Sequence, residues 1–117
     1  MLTLYGLKTC DTCRKARKWL DAKGIAHSFR DVRADGLAAR ELARWTKALG
    51  AEALLNRRGT TWRALSDRER RAADNSGAQA LMLAHPALIK RPVFEAEDRV
   101  IVGFGTAQQK ELLRLIG

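Results

Sequence analysis

The sequence predicts an α/β fold: a four-stranded mixed sheet with flanking helices and a helical insertion in the middle of the chain. Three observations predict it. Short β-rich runs lie near both ends of the chain, and an amphipathic segment of helical length separates the first two. From about residue 37 to residue 87 the pattern is helical, with no strand among its elements. With 117 residues, 46% of them apolar, the chain is expected to form one domain over 1–117 whose core needs neither metal nor disulfide.

The first strand is read at Thr3-Leu4-Tyr5-Gly6, followed by a Gly-containing turn. The first helix is expected from Asp11 to Lys23, with Cys13, Ala16, Leu20 and less strictly Trp19 as its inner stripe and Gly24 as its stop. A second strand, Ala26 to Asp31, follows it. A helix between two strands makes them parallel neighbours in a β-α-β unit. Asp35-Gly36 marks a turn, after which Ala38, Leu42, Trp45 and Leu49 repeat at helical spacing up to Gly50. Leu54 and Leu55 close a short second piece, and Asn56-Arg57-Arg58-Gly59 reads as a loop. Trp62 is expected in the core.

Three helix starts carry the Ser/Thr-x-x-Glu/Gln pattern, in which side chains at the cap and three residues later satisfy each other's backbone N–H groups. They are Ser66-Asp67-Arg68-Glu69, Ser76-Gly77-Ala78-Gln79 and Thr106-Ala107-Gln108-Gln109. Between the last two, Ile89 to Glu95 reads as a loop entering a strand. Arg99 to Val102 is its hairpin partner, and Leu112, Leu113 and Ile116 give the final helix an apolar face. The order β-α-β, helices, β-β-α is the thioredoxin-like plan. In that plan the proline opening the third strand is commonly cis and lies beside the active cysteine, and Pro92 holds that place.

The chain has two cysteines, both at the predicted start of the first helix. Backbone N–H groups there, with the positive end of the helix dipole, stabilise a thiolate at Cys10. Cys13 lies one turn further along the same face, within disulfide reach. A thiol pKa lowered from ~8.5 to ~6.5 raises the thiolate fraction at pH 7 about 25-fold, and the accompanying loss of basicity cancels about 8-fold of that in nucleophilicity. The larger benefit is on leaving: a stabilised Cys10 thiolate departs readily from a mixed disulfide. A zinc site would need four ligands, and only His27 and His85, far apart in sequence and read as structural, remain. No metal is expected.

No run approaches 18 apolar residues, and the chain opens on strand-like residues rather than an export signal, so a cytoplasmic location without membrane contact is expected. Cysteines in that compartment are more often catalytic than structural. The net charge of +9 is spread along the chain and interleaved with acids, as at Asp67, Arg68, Glu69, Arg70 and Arg71. That pattern fits a solvated helix face and excludes an aromatic-interleaved platform for single-stranded nucleic acid, while the positive field suits an anionic substrate such as glutathione.

Several separated motifs then resemble one family. Tyr5-Gly6, Cys10-Asp11-Thr12, Lys15-Ala16, Ala53-Leu54-Leu55-Asn56, Arg58-Gly59-Thr60-Thr61-Trp62 and Leu88-Ile89-Lys90-Arg91-Pro92 are similar, in order and spacing, to the arsenate reductase (ArsC)-like family, and most of all to its Spx/YffB branch. The resemblance implies a thioredoxin-like fold with a nucleophilic cysteine at Cys10. It also implies that Arg58, with a register ambiguity against Arg57, and Arg91 hold an anion, with Pro92 beside them.

Arsenate reductases of this type use three arginines and are resolved by glutathione and glutaredoxin. Where the third basic residue stands, this chain has Gly103-Phe104-Gly105-Thr106, and one lost charge-assisted contact costs ~1.5–3 kcal/mol. The YffB-like branch implies instead a glutathione-dependent thiol reductase, with glutathione as co-substrate, glutaredoxin as a further partner and no bound cofactor. The Cys10-x-x-Cys13 pair is shared with the Spx regulators, which implies as alternative a redox-sensing transcription regulator that binds the RNA polymerase α subunit.

Overall fold

The computed structural model describes residues 2–73 and 77–116. In chain order the elements are β1 (Leu2–Gly6), α1 (Asp11–Ala22), β2 (His27–Asp31), α2 (Ala39–Leu49), α3 (Ala51–Leu54) and α4 (Thr60–Ala64). They continue with α5 (Asp67–Ala73), α6 (Ala78–Ala84), a 3-10 turn (Pro86–Leu88), β3 (Val93–Ala96), β4 (Arg99–Val102) and α7 (Thr106–Ile116). The chain divides into two compact units, Met1–Asp35 with Arg91–Gly117, and Gly36–Lys90.

The first unit holds the sheet, in the order β2-β1-β3-β4. β1 runs parallel to β2, from Leu2 opposite His27 to Gly6 opposite Asp31, and antiparallel to β3, which forms a hairpin with β4. The sheet is therefore mixed, and with its β-α-β opening and β-β-α close the fold is thioredoxin-like. Alternation sets its two faces. Leu2 and Leu4 of β1, with Phe94 and Ile101, form one core with Ala16 and Leu20 of α1 and Leu112 of α7. Each large side chain buried in this way contributes about 1.5–3 kcal/mol relative to exposure.

Helix α1 buries the expected stripe, Cys13, Ala16 and Leu20, with Trp19 half-buried beside it. It ends at Ala22, one residue before the expected Lys23, which serves as its cap. Gly24 then takes φ +68°, and the Gly24 and Ile25 N–H groups donate to Asp21 and Leu20 carbonyls at 3.0 and 2.9 Å. That is the left-handed close that glycine makes without strain. β2 starts at His27, one residue later than expected. On α7, Leu112 is fully buried whereas Leu113 is 42% exposed, so Leu113 lies off the apolar face that the sequence assigned to it, and Leu115 packs against the core instead. The side chain of Ile116 lies outside the described residues.

In the second unit α2 buries Leu42 and Trp45, and Glu41 reaches back to accept the Ala38 N–H at 3.0 Å. The box at Ser66 is complete: Ser66 Oγ accepts the Glu69 N–H at 3.1 Å, and the Glu69 carboxylate accepts the Ser66 N–H at 2.9 Å. The proposed box at Ser76 lies at a residue outside those described, although α6 begins two residues after it. The third box is displaced by one. Gly105, not Thr106, precedes α7, and its N–H donates to Gln108 Oε1 at 2.8 Å. Helix α4 and the 3-10 turn were not foreseen, and Trp62 on α4 is half-buried under the Arg57 guanidinium, 4.8 Å from the ring centre, rather than in the core.

Candidate active site

The site grows from the end of β1. After Gly6 the chain makes a four-residue turn, closed by the Cys10 N–H donating to the Leu7 carbonyl at 3.1 Å. Cys10 keeps an extended conformation (φ −83°, ψ 121°), and its carbonyl accepts the Arg14 N–H at 3.0 Å, the first bond of α1. The thiol therefore stands at the N-cap of a twelve-residue helix. No side-chain cap bond is formed there. The unsatisfied first-turn N–H groups are left facing a sulfur rather than a hydroxyl.

Cys13, one turn further along, is fully buried against the core, with its thiol within hydrogen-bond reach of Cys10. Its sulfur lies directly against the backbone of Gly6, where a Cβ would collide with Cys13 Sγ. Only glycine at the end of β1 lets the strand approach the thiol this closely. Both thiols are free.

The two sulfurs are electrostatically unequal. Burial pushes the Cys10 thiol up, but the Cys13 backbone N–H, the Cys13 thiol and the Arg91 guanidinium together outweigh burial, so Cys10 ionises below its ordinary range. For Cys13, burial dominates and pushes the thiol up to about 11, the Leu7 N–H offsets part of this, and neighbouring Cys10 adds to the rise. Of the pair, Cys10 is therefore the thiol that ionises first and Cys13 the one that keeps its proton longer, the order expected when one thiolate accepts a hydrogen bond from a second thiol.

Arg91 comes from the segment entering β3 and is half-buried; its guanidinium donates toward Cys10 Sγ. The Arg91–Pro92 peptide bond is cis, as the thioredoxin-like plan implies. Pro92 is buried, and its carbonyl accepts the Gly103 N–H at 2.8 Å, which ties the start of β3 to the end of β4. Cys10, Cys13, Arg91 and Pro92 all belong to the first unit.

Arg58 belongs to the second. There its N–H donates to Asn56 Oδ1 at 3.0 Å, and its side chain is exposed. Arg57, by contrast, is committed to Glu52 at 2.5 Å and to the Trp62 ring, which makes Arg58 the member of the pair turned to solvent. Phe104, in the Gly103–Thr106 stretch where the resemblance implies a third basic residue, packs its ring at 5.6 Å on Trp19 and 6.3 Å on Phe94. His27 and His85 have local partners, the Ile25 carbonyl at 2.9 Å and the Glu69 carboxylate at 3.9 Å.

One residue of the site was not singled out from the sequence. Asp31, the last residue of β2, is only 6% exposed, and its carboxylate accepts three backbone N–H groups: Lys8 at 3.0 Å, Arg33 at 2.9 Å and Ala34 at 2.9 Å. The Ala34 and Lys8 bonds, against the cost of burial and with help from Arg33, hold it below the usual carboxylate range. An aspartate closing a strand before Asp35-Gly36 is a turn signal in the sequence, but its bond to Lys8 is not.

A mixed sheet of this order, with a first helix that opens on a thiol pair and an arginine before a cis-proline, defines a thioredoxin-like thiol protein. A family model described as the ArsC family matches residues 5–112, and the chain belongs to that family. A solved YffB protein is 40% identical, with all of both chains covered, and superposes with a TM-score of 0.90. The solution structure of an arsenate reductase (ArsC) related protein from Brucella melitensis is 44% identical over 97% of this chain and 94% of that one, with a TM-score of 0.76. The global transcriptional regulator Spx 2 of Bacillus anthracis is 27% identical over 116 residues, which cover 97% of this chain and 87% of that protein.

Proposed function

We propose that the protein is a cytoplasmic, glutathione-dependent thiol–disulfide reductase with Cys10 as its nucleophile. The observation that carries the reading is the unequal pair: a half-buried Cys10 at the start of α1, facing Arg91 and lowered by it and by Cys13, beside a fully buried Cys13 whose thiol is raised. Membership of the ArsC family and the likeness to an arsenate reductase (ArsC) related protein support an oxidoreductase. No helix among the described residues is long and apolar enough to cross a membrane.

In the first step the Cys10 thiolate attacks one sulfur of a glutathionylated or other disulfide, forming a mixed disulfide and expelling the second sulfur as a thiolate. In the second step a glutathione thiolate attacks that mixed disulfide. Cys10 leaves as the stabilised thiolate, and the glutathione sulfur is oxidised. Arg91 holds the anionic part of the substrate, and Arg58 is the second arginine that the family resemblance assigns to it. Glutaredoxin is a further partner for regenerating Cys10.

Cys13 is the other resolver. Mixed-disulfide formation removes the Cys10 charge that helps to keep Cys13 protonated, but burial, the larger cause, remains. That remaining burial keeps Cys13 a poor thiolate in the mixed disulfide, which favours glutathione. Incubation with oxidised glutathione followed by intact-mass measurement tests the reading. A single glutathione adduct on Cys10 is expected, and a protein left unmodified would sink it.

A second reading has its own support. The Cys10-x-x-Cys13 spacing and the likeness to Spx 2 favour a redox-sensing regulator that binds the RNA polymerase α subunit. A clean internal disulfide in the same experiment, with an α-subunit complex that oxidation strengthens, selects it. Arsenate reduction is a third reading, against which the packing of Phe104 weighs.

A further inference from the structure

The turn that presents Cys10 is held at both ends by the helix and strand it joins, but its middle is held from elsewhere. Leu7 is buried and Cys10 is anchored by its own carbonyl and N–H, whereas Lys8 and Thr9 are exposed and contribute no buried side chain. The Lys8 N–H ties that exposed stretch to Asp31, 23 residues further along the chain. Asp31 is itself held by neighbouring backbone and side-chain bonds. The Asp31 N–H donates to Asp35 Oδ2 at 3.0 Å, and the Val32 N–H donates to the Gly6 carbonyl at 2.9 Å. Two of its three accepted bonds use Oδ1 and close the turn after β2, while Oδ2 is given to Lys8.

We propose that Asp31 is a positioning residue for the Cys10 thiol: its Oδ2, bonded to the Lys8 N–H, fixes the Leu7–Cys10 turn so that Cys10 Sγ meets the Cys13 N–H and Arg91. The proposal rests on reading Cys10 as the reacting thiol. The distances that favour a thiolate at Cys10 are set by where this turn places the sulfur, and hydrogen bonds weaken steeply as their geometry opens. A carboxylate is suited to the task because it accepts on both oxygens at once. Asparagine cannot reproduce it. With Oδ1 on the Arg33 and Ala34 N–H groups, its NH2 would face the Lys8 N–H, two donors against each other. The flipped amide keeps Lys8 but gives up two bonds, so the first orientation is preferred.

The test reads the thiol, not the reductase, so that failure of the reductase reading and failure of this one are distinguishable. Iodoacetamide alkylation of Cys10 is followed from pH 5 to pH 10; Cys13, buried and titrating near 11, stays silent over most of that range. In Asp31→Asn the alkylation midpoint is expected to move up and the rate at pH 7 to fall roughly three- to tenfold, as the thiolate fraction drops.

Asp35→Ala, which removes the support to the Asp31 N–H without touching Lys8, controls for a merely structural role: it lowers the melting temperature but leaves the midpoint in place. Lys8→Pro deletes the same bond from the donor side, at the second position of the turn where proline is well tolerated, and Lys8→Ala corrects for the lost charge. Lys8→Pro should raise the midpoint above that of Lys8→Ala, and it decides the matter if Asp31→Asn does not fold. An unchanged midpoint in Asp31→Asn, or a Lys8→Pro midpoint equal to that of Lys8→Ala, overturns the proposal. So does a downward shift in Asp31→Asn, because it would mean that the carboxylate acts on Cys10 through its charge and not through placement.

Discussion

Two helix starts in this protein occupy the same four slots with different chemistry. At α5 the cap residue and the residue three beyond it are Ser66 and Glu69; at α1 they are Cys10 and Cys13. At α5 both slots are spent on the helix. Oxygen accepts the Glu69 N–H, carboxylate accepts the Ser66 N–H, and the start is closed. At α1 the Cys10 N–H is satisfied by the Leu7 carbonyl, and no side-chain cap bond forms, although the Cys13 N–H lies close enough to favour a Cys10 thiolate.

In each case an anion gains from the helix start: the Glu69 carboxyl is lowered by its bonds to Ser66, and the Cys10 thiol by Cys13 and Arg91. The difference lies in what the anion is free to do. A capping box consumes its anion in local structure, whereas a Cys-x-x-Cys in the same register leaves its anion for chemistry and gives up cap stability to do so.

The largest expected effect tests that trade directly. Cys10→Ser replaces the thiolate with a better cap, so disulfide reduction and glutathione adduct formation should fall at least about a thousandfold while the protein gains about 0.5–1 kcal/mol. Thermal unfolding and turnover on a glutathionylated peptide measure the two together. If Cys10→Ser retained turnover, or melted well below the parent, the contrast between the two helix starts would be wrong.

Next in size is the alkaline limb of stability. The folded-state pKa of Cys13 is raised from 9.0 to about 11, so its contribution is complete below pH 9 and is lost as the pH climbs through the folded value, because the unfolded chain releases the proton first. About 2–3 kcal/mol should disappear between pH 9 and pH 11, and Cys13→Ala should remove that part of the slope. Urea unfolding of both proteins at the two pH values isolates it, since groups away from the pair cancel and Cys10, lowered from its ordinary value, titrates below that window. Parallel curves would show that the proton is not held on Cys13.

Gly6→Ala should cost about 1–3 kcal/mol, because the added methyl must displace Cys13 Sγ or the end of β1. It should also disturb Cys10, whose thiolate depends on where Cys13 sits. A Gly6→Ala protein with parental melting and parental alkylation would mean that the strand end is looser than its packing implies.

Much of this site was legible because its signals are local. A helix start after a strand, a thiol at the cap, and a stripe running Cys13, Ala16, Leu20 are all contained in one turn-and-helix segment, and the structure follows them to within a residue. Pro92 was legible from the element order, whereas Arg91 was legible only through the family likeness, since nothing in the spacing alone aims it at Cys10. Asp31 was not legible at all, because its partner at Lys8 is a backbone group on another strand's loop.

Two errors of register have equally plain causes. Gln108 and Gln109 stand three residues beyond Gly105 and Thr106 respectively, and Gln108 takes the backbone N–H of the glycine, which has no side chain to complete the box. Helix α4 is five residues long, too short to show a period, and follows Gly59 in a stretch whose threonines read as loop.

The smallest expected effect closes the comparison from the α5 side. Ser66→Ala removes the oxygen that accepts the Glu69 N–H and should cost about 1 kcal/mol, the usual loss for a serine cap. Because that oxygen serves the helix alone, the alkylation rate of Cys10 and its pH midpoint should be unchanged. Restoring the cap with Ser66→Thr should recover most of the loss, whereas Cys10→Thr at the corresponding slot of α1 should recover none of the chemistry. A change in Cys10 reactivity on cutting the α5 cap would mean that the two starts are energetically linked, and that the division of labour between them is not local.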